Sequence, residues 1–312
     1  MTLNERAVRA ADELAADATG LRIAAGSVGG ARVLDCGVKA VGGLRAGLGL
    51  ARVCLAGLGD VALLPGDSAS LNLPRIQVSS DQPLLACLAS QYAGWQISVG
   101  KYFAMGSGPM RVAYGKEQLF DDIPGRERPP VAAGVLETGK LPTEEVVAYI
   151  AERVNLPARQ LTLLAAKTAS LAGGVQVVAR SLELALHKLH ELKFDLNQII
   201  SGVGVAPLPP PAADDFAAMG RTNDAILYGG RVTLWVSADD SALEEIGPKV
   251  PSNSSAEYGA LFGELFAKYK DFYKIDPLLF SPAEIAFCNA RSGRTFAFGK
   301  MVPEALRRSF GI

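Results

Sequence analysis

The stretch Thr168-Ala-Ser-Leu-Ala-Gly-Gly-Val-Gln-Val-Val-Ala-Arg-Ser-Leu-Glu-Leu-Ala-Leu-His-Lys-Leu-His190 decides how the chain is read. Val175, Val178, Leu182, Leu186 and Leu189 recur at helical spacing and form the expected core face of one helix. From Thr168 to His187 only Arg180 and Glu183 carry formal charge. Three apart on a helix, they lie within about 60° of each other, which brings their side chains into reach. Gln176 and His187 fall in the same arc. The plainer reading is a surface helix with one ordinary salt bridge, worth a few tenths of a kcal/mol. The apolar flanks Val177 and Leu184, the absence of other charges and the small residues at the start favour a partly desolvated site. In such a site a cation holds a carboxylate ionised, and the carboxylate acts as a base.

Immediately before this helix, residues 161–166 read as a strand. Residues 143–154 read as a helix capped by Thr143 with Glu145 in its first turn, and residues 131–136 as another strand. The result is a β-α-β-α unit. Two proline-containing breaks flank it, Ile123-Pro-Gly-Arg-Glu-Arg-Pro-Pro130 and Leu208-Pro-Pro-Pro-Ala-Ala-Asp-Asp215. The expected architecture is mixed α/β (α+β), with two α/β domains and a ligand cleft between them. Residues 126–208 would be an inserted domain, and residues 1–125 plus 209–312 the outer one. Elsewhere, residues 4–19 predict a helix, and residues 21–25 and 31–35 a strand pair across 26–30. A buried helix is expected over 44–55, strands over 60–64 and 75–79, and a helix over 83–92 with Pro at its first turn. Residues 231–237 and the surroundings of Ile285 and Phe296 supply further strands.

With 49% hydrophobic and 20% charged residues among 312, the chain can bury a large core and is too apolar for disorder. The net charge of −1 and the lack of a Lys/Arg cluster argue against a nucleic-acid partner. Cys36, Cys54, Cys87 and Cys288 have no metal-type spacing, and His187 and His190 are too few for a typical zinc site. Buried thiols in a reducing compartment are expected. The charged N-terminus is not a secretory signal, and the charge-free run 82–100 is broken by Pro83, Ser90, Gln91 and Gly94. No membrane span is expected, and the protein should be soluble and cytoplasmic.

The glycines at 47, 49, 57 and 59 lack the context of a dinucleotide fingerprint, so close helix packing is their expected role. In Met105-Gly-Ser-Gly-Pro-Met-Arg111, Ser107 and Arg111 stand where a helix start and its amides would meet an anion or polar ring edge; a simple turn is the alternative. Arg221, Asn223 and Asp224 form a polar island before an apolar run; a helix cap at Asn223 or Asp224 is the alternative. Pro251-Ser-Asn-Ser-Ser255 is a loop whose Ser254 is either a ligand contact or a solvated connector.

Longer stretches carry a resemblance. They are Asp35-Cys-Gly-Val38, Cys54-Leu-Ala-Gly-Leu-Gly59, Ala86-Cys-Leu-Ala-Ser-Gln-Tyr-Ala-Gly-Trp95 and Phe103-Ala-Met-Gly-Ser-Gly-Pro109. Thr168-Ala-Ser-Leu-Ala-Gly173, Ala179-Arg-Ser-Leu-Glu-Leu-Ala-Leu-His-Lys188, Ala218 to Gly230 and Asp271-Phe-Tyr-Lys-Ile-Asp276 follow in order. Together they resemble the methenyltetrahydromethanopterin cyclohydrolases over nearly the whole length, with Lys167 where that family pattern expects Pro. The resemblance implies addition of water to a 5,10-methenyl bridge and opening to the 5-formyl pterin. It implies Glu183 and Arg180 as the catalytic pair, no metal, no redox cofactor, and a homo-oligomer, trimeric in the family. The expected pterin-binding residues are Ser107, Arg111, Gln176, Arg221, Asn223, Asp224 and Ser254. A folate-directed cyclohydrolase and a non-catalytic reduced-pterin binding protein are the rival functions.

Overall fold

The computed structural model describes every residue of the chain except 69–70 and 271–273. The first elements are α1 (Leu3–Ala16), α2 (Ala18–Leu21), β1 (Ala24–Val28), β2 (Ala31–Gly37), α3 (Leu44–Cys54), β3 (Asp60–Leu64) and β4 (Arg75–Ser80). A π-helix, Leu84–Gln91, leads to β5 (Trp95–Val99), β6 (Tyr102–Ser107), α4 (Met110–Tyr114) and α5 (Leu119–Asp122). Next come β7 (Ala132–Glu137), α6 (Glu144–Val154), β8 (Leu161–Ala166), α7 (Leu171–Val178) and α8 (Ser181–Glu191). The chain ends with β9 (Ile199–Pro207), α9 (Asp215–Gly229), β10 (Arg231–Val236), α10 (Asp240–Ile246) and α11 (Phe262–Tyr269). Strands β11 (Glu284–Asn289) and β12 (Thr295–Gly299) precede α12 (Pro303–Phe310).

Two compact units result, one made of residues 1–59 and 84–176, the other of residues 60–83 and 177–312. The first has a six-stranded sheet in the order β1-β2-β8-β7-β6-β5, with β2, β8 and β7 parallel. Parallel strands need crossovers and are buried on both faces, and here both faces are covered. On one side Ala7, Ala11 and Leu14 of α1 and Leu50 and Val53 of α3 pack with Leu34, Val135 and Leu164. On the other, Val146, Val147 and Ile150 of α6 pack with Ile97, Leu136 and Leu163. Thr143 caps α6 as expected, its hydroxyl accepting from Val146 N.

The second unit has a six-stranded sheet in the order β12-β11-β10-β9-β4-β3. Only β10 and β11 run parallel among its described pairs. Helix α8 lies across β4, β9 and β10, and α9 against β9. Leu182, Leu186 and Leu189 of α8 are fully buried, as their spacing predicts.

The expected boundaries at 126 and 208 are corrected. Strands β7 and β8 complete the sheet begun by β1 and β2, and β9 crosses into the other sheet to pair with β4 and β10. Strand pairing overrides the proline-rich breaks. Three local expectations are also corrected. The turn joining β1 and β2 is the left-handed pair Gly29-Gly30, so the strand begins later than expected. Residues 84–91 form a π-helix, whose last carbonyls, on Leu88, Ala89 and Ser90, accept from Arg111 Nη1. The helix read over 168–190 is two helices. Close helix packing holds at Gly47 and Gly49, where a Cβ would lie 2.6 Å from Val175 Cβ and 2.3 Å from Leu14 Cδ2. Gly57 is corrected: it lies beyond α3 at a left-handed φ of 63°, with Arg6 O at 4.0 Å the nearest atom to such a Cβ.

Candidate functional site

The break between α7 and α8 falls on Ala179 and Arg180. Arg180 sits at φ −86°, ψ 4° as the N-cap of α8, and its amide closes a tight turn on the Val177 carbonyl at 3.0 Å. This places Glu183 in the first turn of the new helix, at its positive end. The arc that grouped Gln176 with Arg180 and Glu183 assumed an unbroken helix, so it does not apply.

Both charges are buried, Arg180 at 7% and Glu183 at 1% exposure. Nε and Nη2 of Arg180 have no hydrogen-bond partner, and no ion pair joins Arg180 to Glu183 among the described residues. The expected salt bridge is therefore corrected: the kink at Arg180 takes it off the helical arc on which the two side chains would meet. A buried guanidinium with unmet donors costs several kcal/mol unless something supplies acceptors. Its donors suit a polar or anionic ligand group.

The first turn of α8 rests directly on strand β9. Gly204, paired on either side with Val232 and Val78, admits the Ser181–Leu182 backbone. Further along, Lys188 is also buried and bonds through Nζ to Ser254 Oγ at 3.1 Å and to the Leu278 carbonyl. Burial pulls its ammonium down to about 8, opposed by the charge of Asp276. His187 and His190 flank this face, with ring centroids 6.5 Å apart.

The other residues singled out from the sequence are placed as follows. Ser107 ends β6 and is buried, its hydroxyl 3.5 Å from Cys54 Sγ. Gln176 is buried near the end of α7 and donates through Nε2 to the same sulfur at 3.5 Å. The structure brings these two together around Cys54. Arg111 is wholly buried, with Nε on Glu117 Oε1 at 2.8 Å, Nη2 on Glu117 Oε2 and Nη1 on the π-helix carbonyls. All three of its nitrogens are engaged within the protein, so the geometry makes it a scaffold residue.

Arg221, Asn223 and Asp224 lie inside α9, whose cap is Asp214. They do not cap that helix. Arg221 Nη1 donates to the carbonyls of Pro210 and Pro211, and Asn223 Nδ2 to the Met219 carbonyl at 2.8 Å. Asp224 is buried and accepts from Phe262 N at 2.9 Å, closing the start of α11, and from Ser309 Oγ at 2.6 Å. Burial pushes its carboxyl up to about 6. Ser254 bonds the Lys249 carbonyl at 2.7 Å as well as Lys188. The stretch Asp271-Phe-Tyr273, part of the resemblance, lies outside the described residues. Among the described residues no three His, Cys, Asp or Glu side chains are grouped to hold a metal ion, and no helix is long and apolar enough to cross a membrane.

Residues 2–310 match the family described as Cyclohydrolase (MCH). The chain belongs to the methenyltetrahydromethanopterin cyclohydrolase family. A relative of that name from Rhodopirellula baltica is 46% identical over 301 residues, covering 95% of this chain and 90% of its own. Another from Methylobacterium sp. is 44% identical over 99% of this chain and 97% of its own. A third, from Methanosarcina barkeri, is 44% identical over 91% of this chain and 89% of its own.

Two charged residues of this cyclohydrolase-family chain escaped the sequence reading. Lys188 was visible only as part of a matched stretch, although it stands between the core residues Leu186 and Leu189, where a lysine needs a buried partner. Asp35, also buried, gathers the amides of Gly37, Val38, Lys39 and Ala40 within 3.1 Å and shapes the loop after β2. An Asp with a glycine two residues on was its only local signal.

Proposed function

We propose that this chain is an enzyme that hydrolyses 5,10-methenyl-tetrahydromethanopterin to 5-formyl-tetrahydromethanopterin. A water oxygen bonds to the methenyl carbon, the bond from that carbon to N10 breaks, and N10 gains one of the two water hydrogens. One proton leaves, so a cation and water become a neutral formyl amide and a proton. The methenyl carbon lies between two nitrogens of a cation and is already electrophilic, so the reading calls for neither a metal nor a redox cofactor.

The observation that carries the reading is the first turn of α8: a buried carboxylate, with a buried guanidinium three residues before it whose Nε and Nη2 are unmet among the described residues. Glu183 orients the water and takes its proton, a contribution of roughly 10²–10⁴-fold. Arg180 finds its acceptors on the pterin rather than on the protein. Ser107, Gln176 and Ser254 remain the proposed pterin contacts, while the side chains of Arg111, Arg221, Asn223 and Asp224 bond within the protein.

The reading places the protein in the cytoplasm as a homo-oligomer, a trimer by family resemblance. In support of self-association, the face of the second sheet opposite Leu182 carries Trp235, 40% exposed, among the half-buried Val203, Val205 and Thr233.

The test is the loss of methenyl absorbance with the tetrahydromethanopterin and tetrahydrofolate carriers, for wild type and Glu183→Gln. Turnover on the methanopterin carrier is expected, and the Gln variant should keep fold and pterin affinity while losing most of the rate. A Gln variant of near-normal rate removes Glu183 from the base role. Tight binding without turnover in wild type makes the protein a pterin carrier, and preference for the folate carrier overturns the substrate.

A further inference from the structure

Glycine in the middle of a strand paired on both sides is costly unless another backbone must come close. Strand β9 has two such glycines under α8. At Gly202 a Cβ would meet the ends of flexible side chains, Leu182 Cδ1 at 2.7 Å and Leu234 Cδ2 at 3.0 Å. At Gly204 it would lie 2.5 Å from Ser181 Oγ, 2.7 Å from the backbone nitrogen of Leu182 and 3.1 Å from Leu182 Cβ. The ends of leucines rotate away, but a helix backbone moves only as a body.

We propose that Gly204 is a positioning residue for the reaction: its missing side chain sets how deeply the first turn of α8, and so Glu183, sits on the sheet. This rests on the function proposed above. A methyl group at 204 lifts the Ser181–Leu182 backbone, and Glu183, the next residue, moves with it. Because the carboxylate is buried, it has no free rotation into solvent through which to restore its aim. Displacement of a catalytic group by about 1 Å costs on the order of 10²-fold in rate.

The experiment compares Gly204→Ala with Gly202→Ala, each alone and combined with Glu183→Gln, following methenyl-tetrahydromethanopterin hydrolysis and thermal denaturation. The expected result is a kcat loss of about 10- to 100-fold for G204A against less than about threefold for G202A at similar loss of stability. In the Glu183→Gln background, G204A should add less than about threefold, because the group it displaces is already disabled. Ser181→Ala combined with Gly204→Ala removes the nearest clash yet leaves the one with Leu182 N, so it stays slow, and it carries the test if G204A alone does not fold. The proposal is overturned by a G204A kcat within threefold of wild type, by an equal loss in G202A, by an undiminished further loss in the Glu183→Gln background, or by full recovery in the Ser181→Ala double variant. Failure of wild type to turn over any methenyl-pterin would instead overturn the functional reading.

Discussion

Arg180 is the N-cap of the helix whose third residue is Glu183, yet no ion pair joins the two among the described residues. The guanidinium is therefore poised rather than satisfied, and the carboxylate draws support from the helix terminus. Charge that is buried without acceptors lowers the stability of the unliganded protein and favours binding of a ligand that supplies them.

Replacing Arg180 by Met should raise the stability of the free protein by about 1–2 kcal/mol, since the methionine fills a similar volume without a buried charge. Turnover should fall by roughly 10²-fold or more. Denaturant titration and the methenyl assay check the two halves separately. A destabilised Met variant would make Arg180 a structural residue.

Arg111 predicts the opposite. Its substitution by Met leaves Glu117 and three π-helix carbonyls without their donor, and should cost about 3–5 kcal/mol. The molecules that remain folded should turn over within about threefold of wild type. Weakened pterin affinity at unchanged stability would make Arg111 a pterin contact after all.

Asp224 links stability to mildly acid pH. Its folded carboxyl is raised to about 6 from 3.8, so between those values the folded state holds a proton that the unfolded chain releases. The contribution is fully present below 3.8 and declines as pH rises through about 6. Asp224→Asn, which can still accept from Phe262 N, should lack this decline. Melting temperatures across that range should show wild type losing ground to the variant and the gap levelling off at neutral pH.

Lys188 acts at the alkaline end. Burial lowers its ammonium to about 8 from 10.5, so above pH 8 the folded state gives up the proton before the unfolded chain does. Stability from this group should rise as pH climbs from 8 toward 10.5. Lys188→Met should remove that rise, read as a flatter denaturation midpoint against pH. An identical slope in both proteins would refute the assignment.

Much of the fold was legible because it is written in periodicity: the β-α-β-α run, the Thr143 cap and the packing glycines all follow from local pattern. The isolated Arg180–Glu183 pair was legible for the same reason, as the only charges in an apolar run. The break between them was not, since no glycine or proline lies between Val178 and Ser181 to mark it. It belongs to the seat on β9, and tertiary packing overrode helix propensity. The bond from Phe262 N to Asp224 was hidden for a related reason: it closes the start of a different helix, a partner that sequence spacing does not reveal. The π-helix is a packing outcome around Arg111, which the pattern of residues 83–92 does not distinguish from an ordinary helix.

Strands β3 and β4 form a hairpin early in the chain, but the neighbour that completes their sheet is β9, where Arg75 meets Pro207. All of residues 84–176 must be synthesised before that partner emerges. The nascent hairpin thus waits with one edge open, a template for wrong pairing. On the ribosome, slow completion and a need for shielding of β4 should follow from the interleaved order in which the two units are threaded.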